Sequence, residues 1–274
     1  MIMNKNVNNK WHADPFFQQA THTRQMSQGE AQLPIKYFDA SSLIAFFMVD
    51  YDKAVSVLDN PKLKVAKLIG NKALFSLAFY DYRELTDGEP YHEVASSMLV
   101  YPADQDTPTH PLVEMTLPPD RRNTGMWVCD LPVTTEVACR AGKELWGYPK
   151  FVTDIDFNLD NKDFSSSVKH PENPQTSILS LSGTIGASVT APWADLVLYS
   201  MLNDALIRAT ADTRTLNGAK IATKGDLKLS VDTTNSHPMA QRLNSLELNG
   251  ATPFSVTFTD SLQLRLNEGV IFYI

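Results

Sequence analysis

Residues 142–150 read Gly-Lys-Glu-Leu-Trp-Gly-Tyr-Pro-Lys, and the interpretation of the chain starts from this stretch. It completes a segment, 136–146, that has helical character and is preceded by two threonines, either of which can cap a helix. Gly147 and the proline two residues later end that helix and force a turn. Lys150 then stands at the head of a strand among aromatic residues. The stretch therefore predicts a junction between a helix and a strand that delivers one lysine into apolar surroundings.

Outward from this junction, short apolar runs alternate with turn residues. The run 41–49 predicts a buried strand, and Asp50 after it is placed to cap a helix. Asn217-Gly218 is the strongest short hairpin signal and predicts that the strands on its two sides pair. The polar stretch 158–175 is interpreted as a loop. Further strands are predicted at 64–69, 73–82, 91–101, 126–131, 150–159, 164–168, 178–184, 206–216, 219–224, 226–231, 254–258 and 262–266, and helices at 51–58, 136–146 and 238–246.

The order of these elements decides between fold classes. Many short strands with three short helices, and no alternation of strand and helix, argue against a parallel α/β sheet. They favour one large antiparallel barrel or sandwich of about 250 residues, and a single β domain can reach that size. We expect residues 1–33, which are polar and weakly patterned, to form an N-terminal arm that packs on a partner or stays mobile. Residues 34–274 are predicted to form one domain.

Composition and charge exclude several classes of protein. With 43% hydrophobic and 20% charged residues, the chain has the composition of a soluble globular protein. Its net charge is −7, from 24 basic and 31 acidic side chains, and no basic cluster stands out, so we expect no nucleic-acid partner. No apolar run approaches the 18 or so residues of a transmembrane helix, and the first residues do not form a signal peptide, so no membrane partner is expected.

The cysteines and histidines indicate neither a disulfide framework nor a metal site. Cys129 and Cys139 are the two cysteines, and we expect both to be small, reduced and partly buried side chains. No histidine pair has the spacing of helical metal ligands. These observations predict a cytoplasmic protein without a bound metal.

Lys150 is the first candidate for chemistry. Apolar surroundings disfavour the ammonium form of a lysine, and a neutral lysine can attack a carbonyl carbon to form a Schiff base. The residues alone leave a second interpretation open, in which the lysine stem packs on the aromatic side chains and the amine reaches water.

The same stretch resembles the signature of the acetoacetate decarboxylase family, in which a Glu-Leu-x-x-Tyr-Pro-Lys run carries the Schiff-base lysine. Tyr91-His92-Glu93 resembles the strand that bears the active-site glutamate of the family, and 237–246 is similar to a helix near the C-terminus of its members. We judge the resemblance to cover residues 34–272. It implies a mainly β fold, a closed antiparallel β-barrel with a few short helices, an apolar pocket, a homo-oligomer and no cofactor.

The resemblance also implies roles for individual residues. Lys150 and Glu93 are the predicted catalytic residues: Lys150 forms the imine, and Glu93 orients it or relays a proton. The implied partner is a small-molecule oxo acid. His92 is expected to face away from Glu93, because neighbouring residues on a strand point to opposite sides. The predicted substrate-binding residues are Tyr91, Glu144, Trp146, Tyr148 and Phe151, although Glu144 could equally make a structural hydrogen bond.

Two positions depart from the family pattern. The family has a second lysine directly after the Schiff-base lysine, whereas here Phe151 takes that place, removing a cation that would activate the nucleophile and adding an apolar ring. The family arginine that engages the substrate carboxylate has no counterpart, and Ala40 stands in its place. A small carboxylate would then lose its charge partner in the pocket, which is costly. We therefore expect poor activity on acetoacetate and a preference for bulkier oxo acids.

Three functions follow from these residues. The first is a cofactor-independent lyase of the acetoacetate decarboxylase type. The second is a related aldolase, dehydratase or hydratase that uses the same imine. The third is a barrel that binds a small carbonyl or apolar ligand without turnover. Arg121-Arg122, which could clamp an anion, is interpreted as part of a solvated surface loop.

Overall fold

The computed structural model describes residues 11, 13–223 and 225–273, and they form a mainly β structure. Its helices are α1 (Tyr51–Val57), α2 (Pro111–Glu114), α3 (Glu136–Trp146) and α4 (Pro238–Ser245). Its strands are β1 (His22–Gln25), β2 (Glu30–Leu33), β3 (Ile35–Asp50), β4 (Leu63–Val65), β5 (Lys67–Leu68), β6 (Lys72–Leu85), β7 (Tyr91–Pro102), β8 (Gly125–Val133), β9 (Lys150–Val152), β10 (Ile155–Asp160), β11 (Asp163–His170), β12 (Asn173–Thr184), β13 (Ser188–Ala191), β14 (Leu196–Leu202), β15 (Ala205–Thr215), β16 (Ala219–Ala222), β17 (Lys228–Val231), β18 (Ser255–Leu266) and β19 (Val270–Ile271).

Seven strands close into a barrel in the order β18, β3, β6, β7, β8, β14 and β15. The ring closes because β15 pairs with β18, with Ala211 opposite Leu266 and Thr215 opposite Leu262. Neighbouring strands of the ring are antiparallel except β8 and β14, and the short β9 also pairs with β8 in parallel. The predicted fold class is confirmed. None of the described helices has the length and the apolar character needed to cross a membrane.

A second, four-stranded sheet in the order β10, β11, β12 and β17 covers one side of the barrel. Alternate residues of β6 face opposite ways, as the strand geometry requires. Leu77 and Phe79 pack in the core that the barrel shares with this sheet and with α4, whereas Ala78, Tyr80 and Tyr82 belong to the cluster on the barrel's inner side. The barrel interior is thus a separate core, and the candidate site lies in it.

The prediction of a loop at 158–175 is wrong, whereas the strand predicted at 164–168 within that stretch is present. Strands β10 and β11 form a hairpin there, with Asp160 opposite Asp163 and a turn at Asn161. Phe164, Ser166 and Val168 of β11 are buried, while the two residues between them are serines. The many serines hid an alternation that the few apolar residues carry.

The hairpin predicted at Asn217-Gly218 is also wrong. Strands β15 and β16 do not pair with each other, because both pair with β18. Thr215 lies opposite Leu262 and Lys220 opposite Phe258, so the chain continues along β18 with one extra residue between these pairs. The dipeptide forms a bulge, in which Gly218 adopts a φ of 80°. Lys224, the end of the predicted second strand, lies outside the described residues.

The described part of the N-terminal arm packs on its own barrel. Phe17 contacts Phe38 of β3, with ring centroids 4.8 Å apart. The Asp14 carboxylate lies 2.5 Å from the guanidinium of Arg214. Residues 1–10 lie outside the described residues, and the domain boundary at residue 34 stays a prediction.

Candidate active site

The junction between α3 and β9 has the form that the sequence predicts. The helix occupies the predicted residues, and the Thr135 side chain caps it by accepting from the Ala138 amide. Gly147 ends the helix with a φ of +66°, and a Cβ there would lie 1.9 Å from the carbonyl oxygen of Met201. Only glycine fits this position, since it combines a left-handed backbone with direct backbone contact.

Lys150 enters the barrel interior from the start of β9, through a space left by Gly142. A Cβ added to Gly142 would lie 2.4 Å from Cε and 2.5 Å from Cδ of Lys150. The Lys150 amine donates to Glu93 Oε2 at 2.6 Å, and the two side chains are only 7% and 11% exposed. Glu93 lies on β7, next to β8, which pairs with β9. The resulting ion pair is buried, so each charge depends on the other for compensation.

Five tyrosines surround this ion pair: Tyr37, Tyr80, Tyr82, Tyr91 and Tyr148. Burial, reinforced by the negative charge of Glu93, raises the pKa of each of them above its ordinary value. They therefore stay neutral and keep their hydroxyl protons. The Tyr37 and Tyr91 hydroxyls bond to each other at 3.0 Å. The Tyr148 hydroxyl is buried and has no hydrogen-bond partner among the described residues.

The amine and the carboxylate open onto a cavity of about 120 Å³, which we call the inner cavity. Lys150 and Glu93 are the charged side chains among the described residues that line it. Its other polar groups are Ser76, Ser97 and four of the five tyrosines, and its remaining walls are apolar. An amine held in such an enclosure meets a ligand without competition from bulk water.

The structure brings only some of the predicted site residues together. Lys150, Glu93 and Tyr148 line the inner cavity. Tyr91 lies beside it, with its ring 5.7 Å from the Lys150 amine. Trp146 stacks on Tyr148 and donates to the Asn267 carbonyl, so it supports the wall from behind.

Glu144 and Phe151 do not reach the inner cavity. Glu144 lies at the surface, where its carboxylate accepts from the backbone amide and the hydroxyl of Ser27. Phe151 follows Lys150 on β9, so it points to the other face and packs against His237 at 4.6 Å. Its ring therefore adds no apolar wall to the inner cavity, contrary to the expectation from the sequence.

The structure tests two expectations about arginines. Ala40 is fully buried in the barrel, and no arginine lines the inner cavity among the described residues. Arg122 is not in a solvated loop: it is 7% exposed, and its guanidinium donates to the carbonyls of Met115 and Asp195 at 2.6 and 2.5 Å. Arg121 beside it is exposed, as expected.

Sequence reasoning missed Gly142 and three of the tyrosines. Tyr80 pairs with Glu93 across β6 and β7, and Tyr82 follows on the same face. The alternation along β6 could have placed these two beside Glu93. Tyr37 gives no such signal, because β3 lies two strands from Glu93 and its register with β6 shifts between Tyr37 and Ala40. Both cysteines are buried and free, as predicted. No three histidine, cysteine or acidic side chains of the described residues are grouped to hold a metal ion.

Comparison with known proteins bears on this arrangement. The family model described as acetoacetate decarboxylase matches residues 21–258. The chain belongs to the acetoacetate decarboxylase family. The predicted family is thus confirmed, and the match covers the ion pair, the junction that carries Lys150 and all of the barrel except the end of β18. No curated protein sequence is significantly similar to this family member.

Solved structures share its fold at low sequence identity. An acetoacetate decarboxylase from Legionella pneumophila aligns with a TM-score of 0.62 and 15% identity, over 88% of this chain and 87% of that one. The enduracididine biosynthesis enzyme MppR, solved with pyruvate, aligns with a TM-score of 0.60 and 12% identity, over 87% of this chain and 90% of that one. An acetoacetate decarboxylase-like enzyme from Sphingomonas wittichii RW1 aligns with a TM-score of 0.59 and 12% identity, over 87% of this chain and 92% of that one. At these identities the likeness concerns the fold.

Proposed function

We propose that this protein is a cofactor-independent lyase that binds an oxo acid as a Schiff base on Lys150. One observation carries the proposal: the Lys150 amine is buried at the wall of an apolar cavity, 2.6 Å from Glu93. A lysine with only a structural role would gain little there, because a buried ion pair contributes little net stability compared with apolar side chains of similar volume.

The arrangement supports a complete sequence of steps. Glu93 takes a proton from the Lys150 ammonium group, and the neutral amine attacks the carbonyl carbon of the substrate. Loss of water gives a protonated imine, which withdraws electrons from the neighbouring carbon. The bond to the carboxylate breaks, carbon dioxide leaves, and the electron pair forms an enamine. Glu93 has by then given its proton to the hydroxyl that leaves as water, so a second proton passes from solvent through Glu93 to the enamine carbon, and hydrolysis frees the ketone and restores the Lys150 ammonium group.

A condensation, hydration or dehydration reaction on the same imine is the second candidate. The observation that favours it is the absence of an arginine among the described residues of the inner cavity. The substrate carboxylate therefore has no fixed cation to hold it in the position from which carbon dioxide would leave. A neighbour of the same fold, MppR, has been solved with the condensation product of pyruvate and imidazole 4-carboxaldehyde. The two candidates share the first step and differ in which bond breaks or forms next.

Borohydride trapping tests the shared step. The protein is incubated with 2-oxo and 3-oxo acids, reduced, and mapped by peptide mass. We expect the adduct on Lys150, and we expect Lys150→Arg to abolish it because a guanidinium stays protonated. Lys143→Arg is the matched control on an exposed lysine of the same segment. An adduct on another lysine, or none with any oxo acid, would leave the third function, a ligand-binding barrel without turnover. Release of carbon dioxide separates the first two.

Cytoplasmic localisation, the absence of a cofactor and assembly into a homo-oligomer are parts of the same proposal. The family membership and the composition of the chain support them. Light scattering at micromolar protein concentration tests the oligomer directly.

A further inference from the structure

A second, larger chamber adjoins the inner cavity. It has a volume of about 320 Å³ and we call it the outer chamber. The two share walls formed by Ile44, Phe46, Met115, Met126 and Leu196. Because these five side chains face both spaces, they stand between the Lys150 amine and the outer chamber. A ligand that passes between these side chains can touch both the amine and the outer chamber.

The outer chamber is lined mainly by apolar residues, and Arg122 and Asp195 are the charged residues among the described ones that line it. Trp193, Leu74 and Val197 belong to its walls. At its rim, Leu112 and Phe254 are 39% and 40% exposed, which is high for side chains of this size. Apolar groups left open at the rim of a concave site gain free energy when a ligand covers them.

The chamber is held open by the protein itself. The buried guanidinium of Arg122 bonds the carbonyl of Met115 on one side and that of Asp195 on the other. Asp195 is in turn fixed by Thr213, whose backbone amide donates to its carboxylate at 2.7 Å. These bonds tie the segment after α2 to the segment before β14, so the walls are in place before a ligand arrives and binding costs less ordering.

We infer that the substrate is an oxo compound with an extended apolar tail, which lies in the outer chamber while the oxo group meets Lys150. This inference rests on the proposed function and names its substrate class. The inner cavity, at about 120 Å³, holds a small head group, and among the described residues that line it Lys150 is the only cation for a carboxylate. Affinity for the head group alone is therefore low. An apolar tail supplies the rest, at roughly fourfold in affinity per buried methylene.

Binding of 3-hydroxy acids tests the tail without the chemistry, because these acids have no ketone carbonyl and form no imine with Lys150. Calorimetry is carried out with straight chains of 6, 9 and 12 carbons. The wild-type protein should bind more tightly at each step, by about fourfold per methylene until the outer chamber is full. Affinity that does not change with chain length would overturn the inference.

Two variants locate the tail. Thr257→Phe fills the outer chamber and should weaken binding of the 12-carbon acid at least tenfold while leaving the 6-carbon acid within twofold. Leu112→Glu places a charge at the exposed rim, where folding is not at risk, and should act in the same direction. Thr190→Phe, at an exposed position on β13, is the matched control and should change nothing. Equal chain-length dependence in all four proteins would refute the assignment.

An acid with a second carboxylate at the far end of a 12-carbon chain provides the last comparison. It should bind at least tenfold more weakly than the simple acid, because the outer chamber would desolvate its charge. Tighter binding would instead place an anion against Arg122 and overturn the apolar tail. If borohydride traps nothing while the chain-length dependence holds, the proposed chemistry fails and the apolar ligand site stands.

Discussion

Replacing Gly142 by alanine should disable the site while leaving the fold intact. The new Cβ would lie 2.4 Å from Lys150 Cε, whereas carbon atoms in contact settle at about 3.5–4.0 Å. The lysine stem must therefore shift by about 1 Å or more. The amine, now 2.6 Å from Glu93, then leaves hydrogen-bond distance. A displacement of about 1 Å from the reacting geometry can cost roughly 10²-fold in rate, and we expect a loss of that size.

The variant should be destabilised by less than the roughly 3–5 kcal/mol that removal of one partner of a buried ion pair costs, because the two buried charges are moved apart but both remain. Alanine is favoured over glycine inside a helix by about 1 kcal/mol, which offsets part of this loss. The assay measures the rate of borohydride-trapped adduct formation with a 3-oxo acid, together with thermal unfolding of the same samples. Lys143→Ala, next to Gly142 but exposed, is the control and should retain its rate. An unchanged rate in the Gly142 variant would refute the reasoning.

Four further outcomes are expected. Glu93→Gln should lower turnover by about 10²- to 10⁴-fold while changing ligand affinity much less, as comparison of kcat with the dissociation constant will show. Gly147→Ala should cost more than about 3 kcal/mol in urea unfolding, since its Cβ would meet the Met201 carbonyl; a cost below about 1 kcal/mol would contradict this geometry. The hydrogen bond to Asp81 raises the pKa of His92 in the folded protein. The stabilisation that this pair contributes to the fold is therefore full below about pH 6.5, the ordinary histidine value, and is lost as the pH rises through the raised pKa. The free energies of unfolding of wild type and His92→Gln should therefore differ more at pH 5.5 than at pH 9. Equal differences would count against the ion pair between His92 and Asp81. Light scattering should give a multiple of the 30.5 kDa chain mass, and a monomer would end the oligomer proposal.

The part of the site that could be predicted lies within one short stretch. A threonine cap, a glycine at the helix end and a proline after it are local signals, so the bounds of α3 and the emergence of Lys150 follow from neighbours in sequence. Glu93 was found through the family resemblance, because nothing local distinguishes it from an exposed strand residue. Glu144 and Phe151 are predicted from their place in the motif around Lys150, yet the helix and the strand turn both side chains away from Lys150.

The sequence by itself determined many of the local elements, such as the strands at 73–82 and 91–101 and the bounds of α3, but the residues alone left a barrel or a sandwich open, and the ring strand β14 was not predicted. The elements that the sequence determined depend on side-chain alternation and capping within a few residues. Only the tertiary structure decided which strands pair. Asn217-Gly218 has the signal of a hairpin, but β18 offers a longer partner to the strands on both sides, and the pairing energy of that long strand outweighs the local preference. The ring of tyrosines around Lys150 and Glu93 has the same origin, because closing the barrel brings β3, β6, β7 and β9 to one place across large separations in sequence.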